Sequence, residues 1–191
     1  MKRLLASAAA LAIVVAGPAW AALAVGGKAA DITAKAFENG TASPFQLSQA
    51  LKKGPVVLYF FPGAFTAGCN VEAKAFADNI DKFKAAGATV VGVTSYFGTT
   101  ARTSAAQGGL EQAIADFSKE HCNGKFPVAA VTPETVTAYD VLLQARDGAT
   151  IANRTSFVIG QDGKIAFTLT DMQPTGHITQ TLAAVEALKK R

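Results

Sequence analysis

The sequence predicts an α/β domain, a mixed β-sheet sandwiched by helices. Two runs, Val56–Phe61 (VVLYFF) and Thr89–Thr94, are apolar on successive residues and short, as in strands buried on both faces. Phe76, Ile80 and Phe83, and later Leu110, Ile114 and Phe117, recur at steps of three and four, which is one face of a helix. The order strand, helix, strand, helix, strand, hairpin, helix then gives a sheet with helices on its faces.

Each element has a local reason. Phe37-Glu38-Asn39-Gly40-Thr41 holds an Asn-Gly turn, so an early hairpin is expected. Ser43-Pro44 has the form of an N-cap followed by proline, and predicts a short helix through Leu51. The VVLYFF strand stops at Pro62, and a helix follows the Pro62–Gly68 loop. Gly98–Gly109 is rich in Thr, Ser, Ala and Gly and reads as a loop. The next helix is expected to end near His121-Cys122, with His121 exposed. Strands are expected at Pro127–Val131, Ser156–Gly160 and Ile165–Leu169, the last two joined by the turn Gln161-Asp162-Gly163-Lys164. Thr175–Arg191 carries Ile178, Leu182, Val185 and Leu188 at helical spacing, with a solvated His177 near its start and a basic last turn.

Composition narrows the function. The chain has 191 residues, 50% hydrophobic and 17% charged, which excludes a largely disordered protein. A net charge of +4, with no basic run interleaved with aromatics, argues against nucleic-acid binding. Two cysteines, Cys69 and Cys122, are too few for a four-thiolate zinc site, an iron–sulfur cluster or a disulfide-dense miniprotein.

The first 21 residues have the layout of a secretory signal peptide. Lys2 and Arg3 precede an apolar run from Leu4 to Gly17, and Ala19-Trp20-Ala21 supplies the small-x-small cleavage pattern. The run is shorter than the roughly 20 residues a membrane span needs. The expectation is a cleaved leader, one mature domain over 22–191 with no membrane span, and a periplasmic or secreted location. In an oxidising compartment, both cysteines are candidates for redox chemistry or a disulfide.

Cys69 follows a buried strand and a tight loop and opens a helix. Unpaired N–H groups and the positive end of the helix dipole favour a thiolate there, the reactive form. Cys69 lies two helical turns before Phe76, so it faces inward. Thr66 places a hydroxyl on the incoming loop, within reach of the sulfur or of a small oxygen-containing substrate. Pro62 removes a backbone donor and stiffens the loop.

The segment FFPGAFTAGC, residues 60–69, resembles the active-site loop of peroxiredoxins, Pro-x-x-x-Thr-x-x-Cys, with Pro62, Thr66 and Cys69 in register. Glu72 matches a glutamate often found three residues after that cysteine. Arg154, directly before TSFVIG, matches the family's arginine. The resemblance spans nearly the whole mature chain and is closest to the monomeric Q-type, bacterioferritin-comigratory-protein-like subclass. It departs at Asn70, where Thr or Pro is common, and at Lys74, where many Q-type members carry a second cysteine. The C-terminal tail has no cysteine either.

The resemblance implies a thioredoxin-like fold and a thiol-dependent peroxidase. Cys69 would attack hydrogen peroxide or an alkyl hydroperoxide. Arg154 would favour the thiolate and orient the peroxide, Thr66 and the helix-start N–H groups would hold its oxygens, and Glu72 would buttress Arg154. Cys122 would resolve the sulfenic acid as an intramolecular disulfide, and a thioredoxin-like reductant would recycle the enzyme. It implies no metal or organic cofactor, and a monomer or weak homodimer.

Other classes fit less well. A disulfide reductase of the Cys-x-x-Cys type would need a cysteine where Glu72 stands. A non-catalytic thioredoxin-fold redox or metal-binding module with a structural disulfide leaves Pro62, Thr66 and Arg154 without a reason. His121 and Cys122 are adjacent in sequence, and neighbours on a helix do not converge on one metal.

Overall fold

The computed structural model describes residues 22–96, 103–146 and 149–190. The leader, residues 98–102 of the expected loop and Arg191 lie outside the described residues. In chain order the elements are β1 (Thr33–Glu38), β2 (Thr41–Gln46), α1 (Leu47–Leu51), β3 (Val56–Phe60), α2 (Ala67–Ala85), β4 (Thr89–Thr94), α3 (Thr103–Glu120), β5 (Val128–Ala130), α4 (Pro133–Ala138), β6 (Leu142–Arg146), β7 (Ala149–Ala152), β8 (Thr155–Ile159), β9 (Ile165–Thr170) and α5 (Thr175–Leu188).

Seven strands form one sheet in the order β2-β1-β5-β4-β3-β8-β9, and β6 and β7 pair separately. β3, β4 and β5 run parallel, while β8 joins β3 antiparallel. This is the mixed α/β sheet that the sequence predicts. Strand β3 lies inside the sheet, and alternation along it explains why its residues are all apolar. Val57, Tyr59 and Phe61 pack on one face against α2, α3 and α5, through Phe76, Ile80, Ile114, Phe117, Ile178 and Val185. Val56, Leu58 and Phe60 pack on the other against Leu47, Leu51 and Val136 of α1 and α4. The β1–β2 hairpin turns through Asn39 and Gly40, both in the left-handed region (φ 51° and 73°), as an Asn-Gly type I′ turn requires.

Several expectations are corrected. Ser43-Pro44 does not open a helix. Both lie in β2, an edge strand, where a proline's missing N–H breaks no ladder bond. The helix starts at Leu47, and Asp31 caps it by accepting from the Ser48 N–H (2.9 Å) and hydroxyl (2.8 Å). The segment 103–108 is helical rather than loop, and a kink at Gly109 (φ 67°, ψ −159°) separates it from the rest of α3. α4, β6 and β7 are additional elements too short for a periodic signal. α5 stops at Leu188, and the ammonium of Lys189, its C-cap residue, donates to the Ala85 carbonyl at the end of α2 (2.8 Å).

Candidate active site

Cys69 is the third residue of α2 and is 1% exposed. The first helical bond runs from the Asn70 N–H to the Thr66 carbonyl (2.9 Å), so the N–H groups of Ala67, Gly68 and Cys69 precede the intrahelical ladder. Thr66 is the N-cap residue, with extended φ and ψ (−90°, 147°). Its hydroxyl donates to the Gly63 carbonyl (3.0 Å), bracing the loop rather than turning to the sulfur. Pro62 is half-buried in the same loop. Phe65 sits at φ 63°, a conformation that costs a non-glycine residue of order 1–3 kcal/mol and persists only where the surroundings fix it. They do so here through ring contacts to Phe117 (5.6 Å) and His121 (5.4 Å) of the α3 end, and through the Ala64 N–H to Tyr96 O bond (3.1 Å). His121 is therefore half-buried and packed on Phe65 and Phe117, a correction to the exposed helix-end reading.

Arg154 reaches this turn from the residue before β8. It is 2% exposed and uses three different nitrogens. Nη2 lies 3.5 Å from Cys69 Sγ, Nη1 donates to Glu72 Oε2, and Nε donates to the Met172 carbonyl (3.1 Å). Glu72, one turn after Cys69, is fully buried. Burial pushes its carboxyl up to about 8, against the pull of the Arg154 charge. Burial also opposes the charge on Arg154, but Glu72 and then Cys69 outweigh it and hold the guanidinium protonated. Gly68 makes room for this arrangement, since a Cβ there would stand 3.0 Å from Arg154 Nη2.

Tyr59 stacks on Phe76 at 4.5 Å and so seats α2 on β3, an aromatic pair worth about 0.5–1.5 kcal/mol beyond its buried area. Its hydroxyl lies close enough to Gly92 that a Cβ there would meet Tyr59 Cζ at 2.6 Å.

Cys122 lies just beyond α3, fully buried, and both cysteines are free. It belongs to the same core cluster as Cys69. Burial pushes its thiol well above the ordinary value. The turn beyond it is left-handed at Asn123 (φ 50°) and Gly124 (φ 62°).

The structure thus gathers Cys69, Glu72 and Arg154 into direct contact, with Thr66 and Pro62 on the adjoining loop. Sequence reasoning missed Gly68, the Met172 carbonyl, and His177 with Ser156. His177 is not solvated. It is fully buried, with Nε2 2.8 Å from the Asp171 carbonyl and Nδ1 2.8 Å from Ser156 Oγ. The signal was its spacing: His177, Thr181 and Val185 recur every four residues and all are buried. Among the described residues, no group of three or more His, Cys, Asp or Glu could hold a metal ion, and no helix is long and apolar enough to cross a membrane.

Comparison with known proteins identifies the family. The model of the AhpC/TSA family matches residues 25–168. Peroxiredoxin Q, chloroplastic, of Sedum lineare is 29% identical over 170 residues, 83% of each chain. The 2-cysteine peroxiredoxin, chloroplastic, of Chattonella marina var. antiqua is 31% identical over 173 residues, 86% of this chain and 80% of that one. Among solved structures, peroxidoxin BcpB from Mycobacterium tuberculosis superposes with a TM-score of 0.72 at 26% identity, covering 86% of this chain and 97% of that one. The likeness to peroxiredoxin Q and to BcpB supports the Q-type subclass, and the chain belongs to the AhpC/TSA family of peroxiredoxins.

Proposed function

We propose that the thiol-dependent peroxidase activity of this protein is carried by Cys69, with Cys122 as the resolving thiol. The observation that carries the reading is the approach of Arg154 Nη2 to Cys69 Sγ (3.5 Å) at the open N-terminal turn of α2. A fixed cation and the unladdered N–H groups favour sulfur in its nucleophilic form. The thiolate attacks the terminal oxygen of a hydroperoxide. The S–O bond forms as the O–O bond breaks, and the bonding pair leaves on the second oxygen. Arg154 and the helix-start N–H groups are donors aimed at where that charge develops. The leaving oxygen takes a proton and departs as water or an alcohol, and Cys69 is a sulfenic acid. Thr66 fixes the loop through Gly63, and Glu72 holds the guanidinium in line.

Cys122 then attacks the sulfenic sulfur, water leaves, and a disulfide forms. A buried thiol whose ionisation is pushed up has to emerge first. The end of α3 favours this, because helix ends fray and Cys122 is followed by an exposed Asn123 and by Gly124. A thioredoxin-like dithiol restores both thiols by exchange. The leader-like residues 1–21 support a periplasmic or secreted site of action, and sequencing the N-terminus of protein released by osmotic shock tests it, Ala22 being expected.

Peroxide consumption by the reduced protein, driven by thioredoxin and its reductase, tests the proposal. Turnover of hydrogen peroxide and an alkyl hydroperoxide is expected. A protein that consumes neither, with any thiol donor, contradicts it.

A further inference from the structure

Glu72 uses only one of its two oxygens. Oε2 receives Arg154 Nη1, whereas Oε1 is buried without a hydrogen-bond partner. Leaving a buried acceptor unmet costs about 1–3 kcal/mol. The group that faces Oε1 is His177, whose Nδ1 stands 3.8 Å away. His177 Nε2 contacts the Asp171 carbonyl, which only accepts, so Nε2 carries hydrogen. In the neutral ring Nδ1 is then an acceptor, engaged by the Ser156 hydroxyl at 2.8 Å, with Glu72 Oε1 its next polar neighbour at 3.8 Å.

Charge balance gives this geometry a purpose. Cys69, Glu72, Arg154 and His177 are all buried, and the guanidinium is the one permanent cation of the four. A Cys69 thiolate beside a Glu72 carboxylate would leave a net negative charge out of water, which is costly. A protein group that accepts one proton removes that charge.

We propose that His177 is a positioning residue for the peroxidase site, holding one proton jointly with Glu72 between Nδ1 and Oε1 so that Arg154 can pair with the Cys69 thiolate. In the balanced step the S–H bond of Cys69 breaks, one proton appears on the Glu72–His177 pair, no electrons move between residues, and the cluster's total charge stays constant. A proton on Oε1 turns that unmet oxygen into a donor facing Nδ1, and the 3.8 Å between them must shorten by about 1 Å for the hydrogen bond to close. Burial acts on both members in the matching sense, raising the Glu72 carboxyl and lowering His177, so the shared proton resides chiefly on Glu72. Glu72 faces the ring from α2, Arg154 from the segment before β8, and Asp171 from the segment after β9. Ser156 of β8 and Thr181 of α5, which touch His177, are uncharged.

The inference rests on the peroxidase reading, but its test needs no peroxide. The rate of Cys69 alkylation by iodoacetamide is followed against pH by mass spectrometry. His177→Gln removes the acceptor, the pair loses proton affinity, and the alkylation midpoint rises by about one pH unit, a tenfold slower reaction below the midpoint with the high-pH plateau unchanged. Ser156→Ala removes the donor that competes for Nδ1, so the midpoint moves down, the opposite sign. In a Glu72→Gln background, where no shared proton exists, adding His177→Gln produces no further displacement. Equal slowing at every pH, an unmoved midpoint, or both single variants shifting the same way overturns the proposal. Should His177→Gln fail to fold, the sign of Ser156→Ala decides. Absence of peroxide turnover in the unmodified protein would count against the peroxidase reading and leave the alkylation result to be judged by itself.

Discussion

Arg154 serves three acceptors with three nitrogens, and replacing it by lysine separates charge from geometry. An ammonium is a single point charge on a flexible stem and cannot span Glu72, Cys69 Sγ at 3.5 Å and the Met172 carbonyl at 3.1 Å together. In Arg154→Lys the cation settles on the buried Glu72 carboxylate, and the donor aimed at the sulfur is lost. A hydrogen bond to a charged group contributes about 1.5–3 kcal/mol, so kcat/KM for hydrogen peroxide falls by about 10- to 150-fold. Stability changes little, because Glu72 keeps a counter-charge. Arg154→Ala removes that as well. Taking one partner from a fully charged buried ion pair costs about 3–5 kcal/mol, or about 6–20 °C in Tm for a domain of this size, and with the Glu72 carboxyl at about 8 that range is the upper limit, approached as pH rises through 8. Protonating Glu72 relieves the penalty, so the Ala variant's loss is smaller at pH 6 than at pH 8. The assays are steady-state peroxide reduction at saturating thioredoxin and thermal unfolding by circular dichroism. A Lys variant within twofold of the unmodified kcat/KM, or an Ala variant as stable as the unmodified protein at pH 8, refutes the three-acceptor account.

Glu72 also governs the pH dependence of stability. Its folded-state carboxyl, at about 8, lies above its unfolded value of 4.5, so its protonated form is the one the fold favours. Its contribution is complete below about pH 4.5 and is lost as pH rises to about 8. Glu72→Gln should flatten Tm against pH across that window, and parallel curves for the two proteins would contradict this. Cys122→Ser should leave the first oxidation fast, stall turnover with thioredoxin and let sulfinic acid accumulate on Cys69 under excess peroxide; recycling at the unmodified rate would make Cys122 a bystander. Gly92→Ala places a Cβ 2.6 Å from the Tyr59 ring and should lower stability by about 1–3 kcal/mol in a denaturant titration, an unchanged midpoint arguing against the close approach.

The layout of the sheet was legible because its strands and helices carry strong periods. β3 is apolar at every position since both of its faces are covered, and Phe76, Ile80 and Phe83 mark the inner face of α2. The Asn39-Gly40 turn was legible from its residue types alone. Ser43-Pro44 misled because the same pair that opens a helix is also tolerated on an edge strand, and only the sheet order distinguishes the two. The short pieces α4, β6 and β7 hold too few residues for a period to emerge. At the site, the Pro62–Cys69 loop stands out because its residues are contiguous, and the link from Glu72 to Arg154 came from family resemblance. The contact of Arg154 with the Met172 carbonyl is a backbone interaction that no side chain announces. His177 was misread because histidine near a helix start is commonly solvated. Its place on the Thr181–Val185 ridge outweighs residue type, and Asp171 and Ser156 meet the polar atoms that burial would otherwise strand.

The central claim is that Cys69 is the thiol that meets peroxide. The most direct measurement adds one equivalent of hydrogen peroxide to the reduced protein in the presence of a sulfenic-acid trap, then locates the adduct by peptide mass spectrometry. The account predicts the adduct on Cys69, enhanced in Cys122→Ser and absent from Cys69→Ser, whose peroxide turnover is abolished because a hydroxyl at this position is a far poorer nucleophile. An adduct confined to Cys122, or near-normal turnover by Cys69→Ser, would contradict it.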